Sequence, residues 1–138
     1  DVERSRGLGD VYKRQDYDFL KQILTVMVDN ESHFIGTDQL TDKLDLDICN
    51  KLLWDKFWGH MFILNDNLCL DCDDENLGAF REQDGSISYR FQTFRLTAQG
   101  YQFLDVLKND TIFSKIKDFS VSTAIEVGKA ALINWVVK

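Results

Sequence analysis

Two cysteines three residues apart, Cys69 and Cys72, come closest in this chain to a metal-binding pattern. Cys-x-x-Cys is the spacing of half a zinc site, which needs four ligands in all. The second half would have to come from Cys49, His33 or His60, and none of these forms a second pair at ligand spacing. Residues three apart on a continuous strand also point to opposite faces. We therefore expect no metal site and interpret a buried cysteine as the default here.

Acidic residues around the second cysteine partly match a calcium-binding loop. The match consists of positions 1, 3, 5 and 12, which are Asp71, Asp73, Glu75 and Glu82. Position 6 is Asn76 where such loops need glycine, and no helical pattern flanks the segment. A partial match of this kind arises easily in an acidic hairpin, so we expect a hairpin loop here.

No catalytic grouping is visible in the sequence. There is no glycine-rich phosphate loop and no Ser/His/Asp arrangement, and both histidines lie in segments with an ordinary structural use. We expect a non-enzymatic protein that needs no cofactor.

The bulk composition narrows the class of protein. The chain has 138 residues, 44% of them hydrophobic, and a formal net charge of -7, which favours one compact domain and disfavours non-specific nucleic-acid binding. No run reaches the roughly 18 to 20 apolar residues of a membrane span, so we expect no membrane contact. Three cysteines cannot all pair within one copy, and no secretory signal opens the chain. A cytoplasmic location is the simplest expectation.

The clearest structural signal is the stretch from Tyr89 to Leu104. Residues 89–96 alternate in the way that is typical of a strand with one buried face. Thr97 can then N-cap a helix, in which Tyr101, Leu104 and Leu107 are expected to share a face. Gly100 lies in the first turn of that helix, where the missing side chain would allow close packing.

The rest of the chain divides into helical and strand patterns around this stretch. Before it we predict a helix at 16–30, an edge strand at 33–36, a short helix capped by Thr37 or Asp38, a third helix at 46–58 ended by Gly59, a strand-like segment at 61–72 and an acidic loop at 73–85. After it we predict a helix restarted at 109–111 and a last helix from about Ser122 to Val137. The order predicts an α+β winged helix (helix, strand, helix, helix, hairpin) with C-terminal helices from about residue 97. Residues 16–138 are expected to form a single domain.

Three segments resemble one known family. The segments are Asp16-Tyr17-Asp18-Phe19-Leu20-Lys21-Gln22-Ile23-Leu24, Leu96-Thr97-Ala98-Gln99-Gly100-Tyr101-Gln102-Phe103-Leu104-Asp105 and Asn109-Asp110-Thr111-Ile112-Phe113-Ser114-Lys115. Together they resemble a family of bacterial and prophage proteins catalogued as domain of unknown function 2513. The resemblance implies a winged helix in a prophage or phage-related setting and brings no established activity.

Residues 1–15, DVERSRGLGDVYKRQ, resemble the translated read-through of a sequencing adapter. We therefore leave them out of the fold prediction. A disordered native tail is the alternative interpretation.

The third predicted helix is the element that reads DNA in many winged-helix proteins. If Cys49, Leu52, Leu53 and Phe57 face the core, the opposite face carries the candidate partner-binding residues Asp47, Lys51, Trp54, Asp55 and Trp58. Two carboxylates on that face would repel phosphates, and only one lysine offsets them. Two exposed tryptophans suit a protein partner. Plain packing of one tryptophan in the core is the alternative, and DNA reading is a third.

The predicted hairpin supplies the candidate residues for DNA binding. These are Arg81, Arg90 and Arg95, together with Lys51 of the third helix. Arg90 and Arg95 fall on opposite faces of their strand, and Glu82 and Asp84 offset Arg81. A solvated hairpin is therefore the simpler interpretation.

The last predicted helix is apolar over most of its surface, so it must be buried somewhere. We expect it to pack against the first helix or against a homodimer mate. The expected function is a non-enzymatic winged-helix adaptor that binds protein. The alternative is a winged-helix transcription regulator that binds DNA.

Overall fold

The computed structural model describes the backbone of residues 15–137 and the side chains of residues 15–134. Within this range the chain forms helices, a small antiparallel sheet and a separate two-stranded hairpin, so the predicted α+β class is confirmed. The elements in chain order are α1 (Tyr17–Asp29), β1 (Phe34–Gly36), α2 (Thr37–Lys43), α3 (Lys51–Asp66), β2 (Leu70–Cys72), β3 (Ala79–Arg81), β4 (Ile87–Tyr89), β5 (Thr93–Leu96), α4 (Ala98–Lys108), α5 (Asp110–Ile116) and α6 (Val121–Val137). The prediction for residues 1–15 lies outside the described residues except at Gln15.

Helix α1 forms as its apolar period predicts. The Asp16 carboxylate accepts a hydrogen bond from the Phe19 N–H and caps the first turn. Leu20, Ile23 and Leu24 on its inner face have no exposed surface. This helix packs mainly against α4, which brings the C-terminal helices onto the same core as the N-terminal half.

The three-stranded sheet has the order β1-β5-β2, with β5 in the centre and antiparallel to both neighbours. Strands β3 and β4 form a second hairpin inserted between β2 and β5. The long predicted hairpin is therefore present, but in two tiers. Its outgoing strand is not continuous from Tyr89 to Leu96 as predicted, because β4 ends at Tyr89 and β5 begins at Thr93.

The backbone changes partners at this break. The Arg90 N–H still donates to Gly78 in the outer tier. Gln92 instead bonds to Thr37 at the start of α2, through its N–H to the Thr37 hydroxyl and its carbonyl to the Thr37 N–H, both at 2.9 Å. Gly78 permits the crossing, because its φ is +90° and a Cβ there would lie 2.4 Å from the Arg90 carbonyl oxygen.

Helix α3 is the main correction to the predicted elements. It begins later than predicted, after the Asn50 side chain caps the Leu53 N–H, and it continues through Gly59 to Asp66. Met61 and Leu64 extend the buried face that begins at Phe57 by about two turns, which favours helix over the predicted strand at 61–72. Only the last part of that segment, Leu70–Cys72, is a strand.

Helix α4 begins as predicted at Thr97, whose hydroxyl accepts a hydrogen bond from the Gly100 N–H. Gly100 allows the predicted close approach, because a Cβ there would lie 2.5 Å from the Cys69 carbonyl oxygen. Leu104 and Leu107 are buried, but Tyr101 is exposed, so the predicted shared face is only partly correct.

The smaller helices differ slightly from prediction. Helix α2 is capped at Gly36, one residue before the predicted Thr37, while α5 begins after the Asn109 cap as predicted. Helix α6 begins at Val121, with the Ser120 hydroxyl accepting from the Thr123 N–H, so the predicted cap at Ser122 is wrong.

Helix α6 packs mainly against α4 and α5, so the predicted packing against the first helix is wrong. Its contact with α4 depends on Gly128, where a Cβ would lie 2.5 Å from a methyl group of Val106. Among the helices of residues 15–137, none combines the length and hydropathy needed to cross a bilayer.

Candidate functional site

Helix α3 carries the residues that the sequence singles out, but its buried face is rotated from the predicted one. Phe57 and Trp58 are buried at 0% and 1% exposure, while Leu52 is 82% exposed and Cys49 lies exposed in the preceding turn. The predicted burial of Cys49, Leu52 and Leu53 and the predicted exposure of Trp58 are therefore wrong, while the predicted burial of Phe57 is correct. The reason is the inserted hairpin, which covers the side of α3 that carries Trp58.

Trp58 joins α3 to the hairpin. Its indole stacks face to face on the Tyr89 ring of β4, with the ring centroids 4.3 Å apart and the planes 6° from parallel. The Phe94 ring of the central strand lies 6.4 Å from it in an edge-on arrangement. The Trp58 Nε1–H has no hydrogen-bond partner among the residues that the structure describes. Trp58 is thus a packing residue that holds the hairpin against α3.

Trp54, one turn earlier, lies at the edge of the same aromatic cluster. Its ring is 5.7 Å from Trp58 and 6.1 Å from Tyr89, both edge to face, and it stacks at 6.0 Å on Phe57. Trp54 is only half-buried. It therefore keeps part of its indole in solvent while its position is fixed by the three neighbouring rings.

Exposed aliphatic side chains lie on both elements. Ile48, in the turn before α3, is 47% exposed, and Leu52 and Leu53 in the first turn are 82% and 37% exposed; Leu52 lies on the side of the helix away from Trp54. On the hairpin, Ile87 is 46% exposed and lies on the same face as Tyr89, two residues along β4. We define the α3–hairpin surface as the set Trp54, Ile87 and Tyr89.

The lysines of α3 are paired with carboxylates. Lys51 Nζ lies 3.1 Å from Asp55 one turn along the helix. Lys56 Nζ lies 2.9 Å from Asp16 and 5.0 Å from the centroid of the Phe19 ring. Such exposed pairs contribute only about 0–1 kcal/mol, but a phosphate would have to compete with the carboxylate already in place.

The hairpin arginines do not converge on one surface. Arg95 pairs with Asp71 across the three-stranded sheet at 2.9 Å, and Arg90 stacks over the Phe80 ring at 4.6 Å. Arg81 is exposed on the face of the outer hairpin that carries Ile87, its cross-strand neighbour. Arg81, Arg90 and Arg95 therefore have different neighbours and do not form one basic surface.

The remaining predicted partner residues lie at the rim of the α3–hairpin surface. Asp47 is exposed in the turn before α3, outside the helix, and one of its carboxylate oxygens accepts the Cys49 N–H. Asp55 is exposed on α3 near the Tyr89 phenol. Burial and the Asp55 charge raise the pKa of Tyr89, and the Lys51 charge offsets part of this rise. The predicted residues Lys51, Trp54 and Asp55 thus lie near Tyr89, Asp47 lies in the turn before α3, and Trp58 is buried behind Trp54.

Sequence reasoning missed the junction between His60 and the start of α1. The His60 Nε2 accepts the backbone N–H of Asp16 at 2.8 Å, and Nδ1 lies 2.8 Å from the Lys56 carbonyl oxygen, to which it donates in the neutral ring. Both ring nitrogens are satisfied only when the imidazole is uncharged. Burial lowers the His60 pKa in agreement with this arrangement. The signal was present in the sequence, since His60 shares the helical face of Phe57 and Leu64.

The cysteines show no arrangement for metal binding. Cys69 is buried and Cys72 is half-buried, and burial raises the pKa of the Cys69 thiol to about 12. The thiolate is the form that binds metals, so this environment disfavours ligation. Within the described part of the chain, no group of three or more His, Cys, Asp and Glu side chains is placed to hold a metal ion.

A cleft beside α1 is open and has a volume of about 500 Å³. Its lining mixes charges of both signs with aliphatic side chains: Asp18, Lys21, Gln22, Thr25, Val26, Lys43 and Leu44. None of these side chains is buried, so the cleft lacks the fixed polar groups of a specific small-molecule site.

The chain was compared with family models, with curated proteins and with solved structures, and none of them matches it. The resemblance of three segments to family 2513 stays a prediction.

Proposed function

We propose that this domain is a winged helix that binds a protein partner through the α3–hairpin surface. What supports the winged helix is the order of the elements: a third helix followed by a hairpin whose outgoing strand is central in a three-stranded sheet. In that fold the third helix and the hairpin are the parts that usually contact the ligand. Helices α4, α5 and α6 then form the C-terminal extension.

The observation that carries the proposal is the exposure of apolar side chains on these two parts. Leu52 points into solvent from the first turn of α3, where a DNA-reading helix would carry polar side chains for base edges and phosphates. On another side of α3, the half-buried Trp54 lies against Tyr89 of the hairpin, and Ile87 adds exposed apolar surface there. Exposed apolar clusters with an aromatic anchor mark protein-contact sites more often than duplex-contact sites.

Electrostatics support the same choice. A duplex-binding surface gains affinity when its lysines and arginines displace counterions from phosphates. Here Lys51 and Arg95 each face a carboxylate, and Asp47 adds negative charge beside α3. The net charge of -7 opposes approach to DNA from a distance as well.

A fluorescence-anisotropy titration with labelled duplex DNA tests this function. We expect no binding by the wild-type protein at about 20 mM salt, where long-range electrostatic attraction is strongest. The matched variant Asp47→Lys/Asp55→Lys, which reverses two carboxylates beside α3, should gain weak, salt-sensitive affinity. Steeply salt-dependent binding by the wild type, weakened by Arg81→Ala, would instead establish a DNA-binding regulator.

A bacterial, prophage-related origin and a cytoplasmic location remain proposals that rest on the sequence alone.

A further inference from the structure

We infer that the outward face of helix α6 pairs with the same face of a second copy of the chain, with the two helices antiparallel and crossing at Ala130. This face lies on a different element from the α3–hairpin surface, so the pairing does not depend on the proposed function. We define the outward α6 face as the set Glu126, Val127, Ala130, Ile133 and Asn134.

The apolar side chains of this face form one strip along the helix. Val127 is 42% exposed and Ile133 is 64% exposed, and Ala130 between them is exposed as well. At 3.6 residues per turn, each of the three lies about 60° around the helix from the next, so they are neighbours on one face. The strip points away from the core, because Ala130 lies about 200° around α6 from Gly128, which packs on Val106.

This strip lacks the charges that the solvent side of a surface helix usually carries. Between Val121 and Asn134 the charged residues are Glu126 and Lys129. The Lys129 Nζ donates to the Gln99 side-chain oxygen of α4 at 2.9 Å, so this cation belongs to the contact within the chain. A helix that is apolar on both its inner and outer sides is normally covered on both. We therefore expect the outward face of α6 to be covered in solution.

The order of residues on the strip suits a second copy of itself. A two-fold axis buries the same patch on both copies, and in an antiparallel pair that crosses at Ala130, residues equally far from Ala130 face each other. Val127 then meets Ile133 of the other copy, and Glu126 meets Asn134. The Asn134 amide can donate to the Glu126 carboxylate at both ends of the strip. The small Ala130 side chain lets the two helices approach closely at the crossing.

The charges favour the antiparallel arrangement over the parallel one. A parallel pair would place each Glu126 beside its own copy, whereas the antiparallel pair separates the two carboxylates by about 12 Å along the helix axis. The strip is short, so we expect a weak dimer that dissociates on dilution. Since each chain carries a net charge of -7, long-range repulsion opposes the pairing, and added salt should strengthen it.

Sedimentation equilibrium of the full chain over a range of concentrations tests this pairing. We expect a monomer–dimer equilibrium at concentrations up to about 1 mM, with more dimer at high salt than at low salt. Ile133→Glu should weaken the association by at least about tenfold, because it places a charge in the apolar strip. Leu68→Glu adds the same charge at a leucine that is 70% exposed in the turn after α3, and it should leave the association unchanged.

An exchange of two polar residues tests the antiparallel register. Asn134→Glu alone would bring carboxylates face to face at both ends of the strip, and it should weaken the dimer several-fold. Adding Glu126→Asn to that variant restores an amide opposite each carboxylate and should recover most of the lost affinity. A variant that merely disturbed α6 would not be rescued in this way.

Four results would overturn the inference. The first is a wild-type chain that stays monomeric up to about 1 mM at high salt. The second is self-association that Ile133→Glu leaves unchanged, because the contact would then lie elsewhere. The third is an Asn134→Glu variant that Glu126→Asn does not rescue, because the register would then be wrong. The fourth is a monomer that binds phospholipid vesicles and loses this binding in Ile133→Glu, which would assign the face to a membrane surface. None of these results bears on the α3–hairpin surface, which the duplex titration tests separately.

Discussion

Trp54 and Trp58 lie one turn apart on α3, but their surroundings give them different roles. Trp58 is stacked on Tyr89 and surrounded by the core, so its contribution is to packing. Trp54 is fixed by the same rings but keeps part of its indole in solvent. The sequence does not distinguish the two tryptophans, because the stacking that buries Trp58 involves Tyr89, about thirty residues later in the chain.

Truncation of the two tryptophans should therefore have unequal effects on stability. Trp58→Ala is expected to lower the free energy of unfolding by about 3–5 kcal/mol, because it leaves a cavity between α3 and the hairpin. Trp54→Ala should lower it by about 1–2 kcal/mol, since less apolar surface is buried there. Urea denaturation of both variants measures the difference. A larger loss for Trp54→Ala would mean that Trp54 is the core residue.

His60 should make the stability of the fold depend on pH. Its pKa is lowered by burial below the usual 6.5, so the unfolded chain binds this proton more readily than the folded one. The free energy of unfolding should therefore fall as the pH decreases from about 6.5 toward the lower pKa of the folded state. Protonated Nε2 would also face the Asp16 N–H, where both groups would be donors.

Urea denaturation between about pH 7.5 and pH 5 measures this dependence. The range stays above the titration of Asp16, whose pKa is lowered from 3.8, chiefly by its hydrogen bond to Lys56, and whose contribution is lost only at lower pH. His60→Asn should flatten the dependence, and His33→Asn, at an exposed position, should not. Equal slopes in wild type and His60→Asn would show that His60 is not the responsible group.

At the scale of the elements, local sequence signals correctly predicted the helices and the hairpin whose formation depends on neighbouring residues alone. Caps and a clear apolar period were enough for α1 and α4, and turn-rich acidic sequence was enough for the long hairpin. The segment from Met61 to Leu64 is a continuous apolar run, which is compatible with either a strand or a buried helix. The phase of α3 was wrong for a related reason, because its buried face is set by contacts with the hairpin and with α1.

Replacement of two glycines by alanine tests the length of α3 and the close packing of α4. Gly59 lies inside α3 with open space around its Cα, so Gly59→Ala should raise the free energy of unfolding by about 0.5–1 kcal/mol. In α4, a Cβ added at Gly100 would lie 2.5 Å from the Cys69 carbonyl oxygen. Gly100→Ala should therefore lower the free energy of unfolding by about 1–3 kcal/mol.

Thermal or urea denaturation of the two variants gives both signs in one experiment. A destabilising Gly59→Ala would indicate that α3 ends at Gly59, as the sequence pattern predicted, since a helix-terminating glycine resists alanine. A neutral Gly100→Ala would contradict the close approach of α4 to the strand that carries Cys69.

At the scale of the whole molecule, one core connects the N-terminal helices, the sheet and the first turns of α6. This core keeps α3 and the hairpin in a fixed relation, with Trp58 and Tyr89 between them. The surface that results was only partly predictable. The region around Trp54 and Asp55 was identified from residue types, but the burial of Trp58 and the contribution of Ile87 depend on a helix phase and a hairpin face that the folded chain determines.

Amide NMR spectra of the full chain, titrated with random duplex DNA at about 20 mM salt, test most directly whether this surface binds nucleic acid. We expect no shifts of α3 or of the outer hairpin, because the lysines of α3 are already paired with carboxylates and the net charge of -7 opposes approach to DNA. Shifts of both elements that diminish as salt is added would contradict the proposal and indicate that this surface binds DNA.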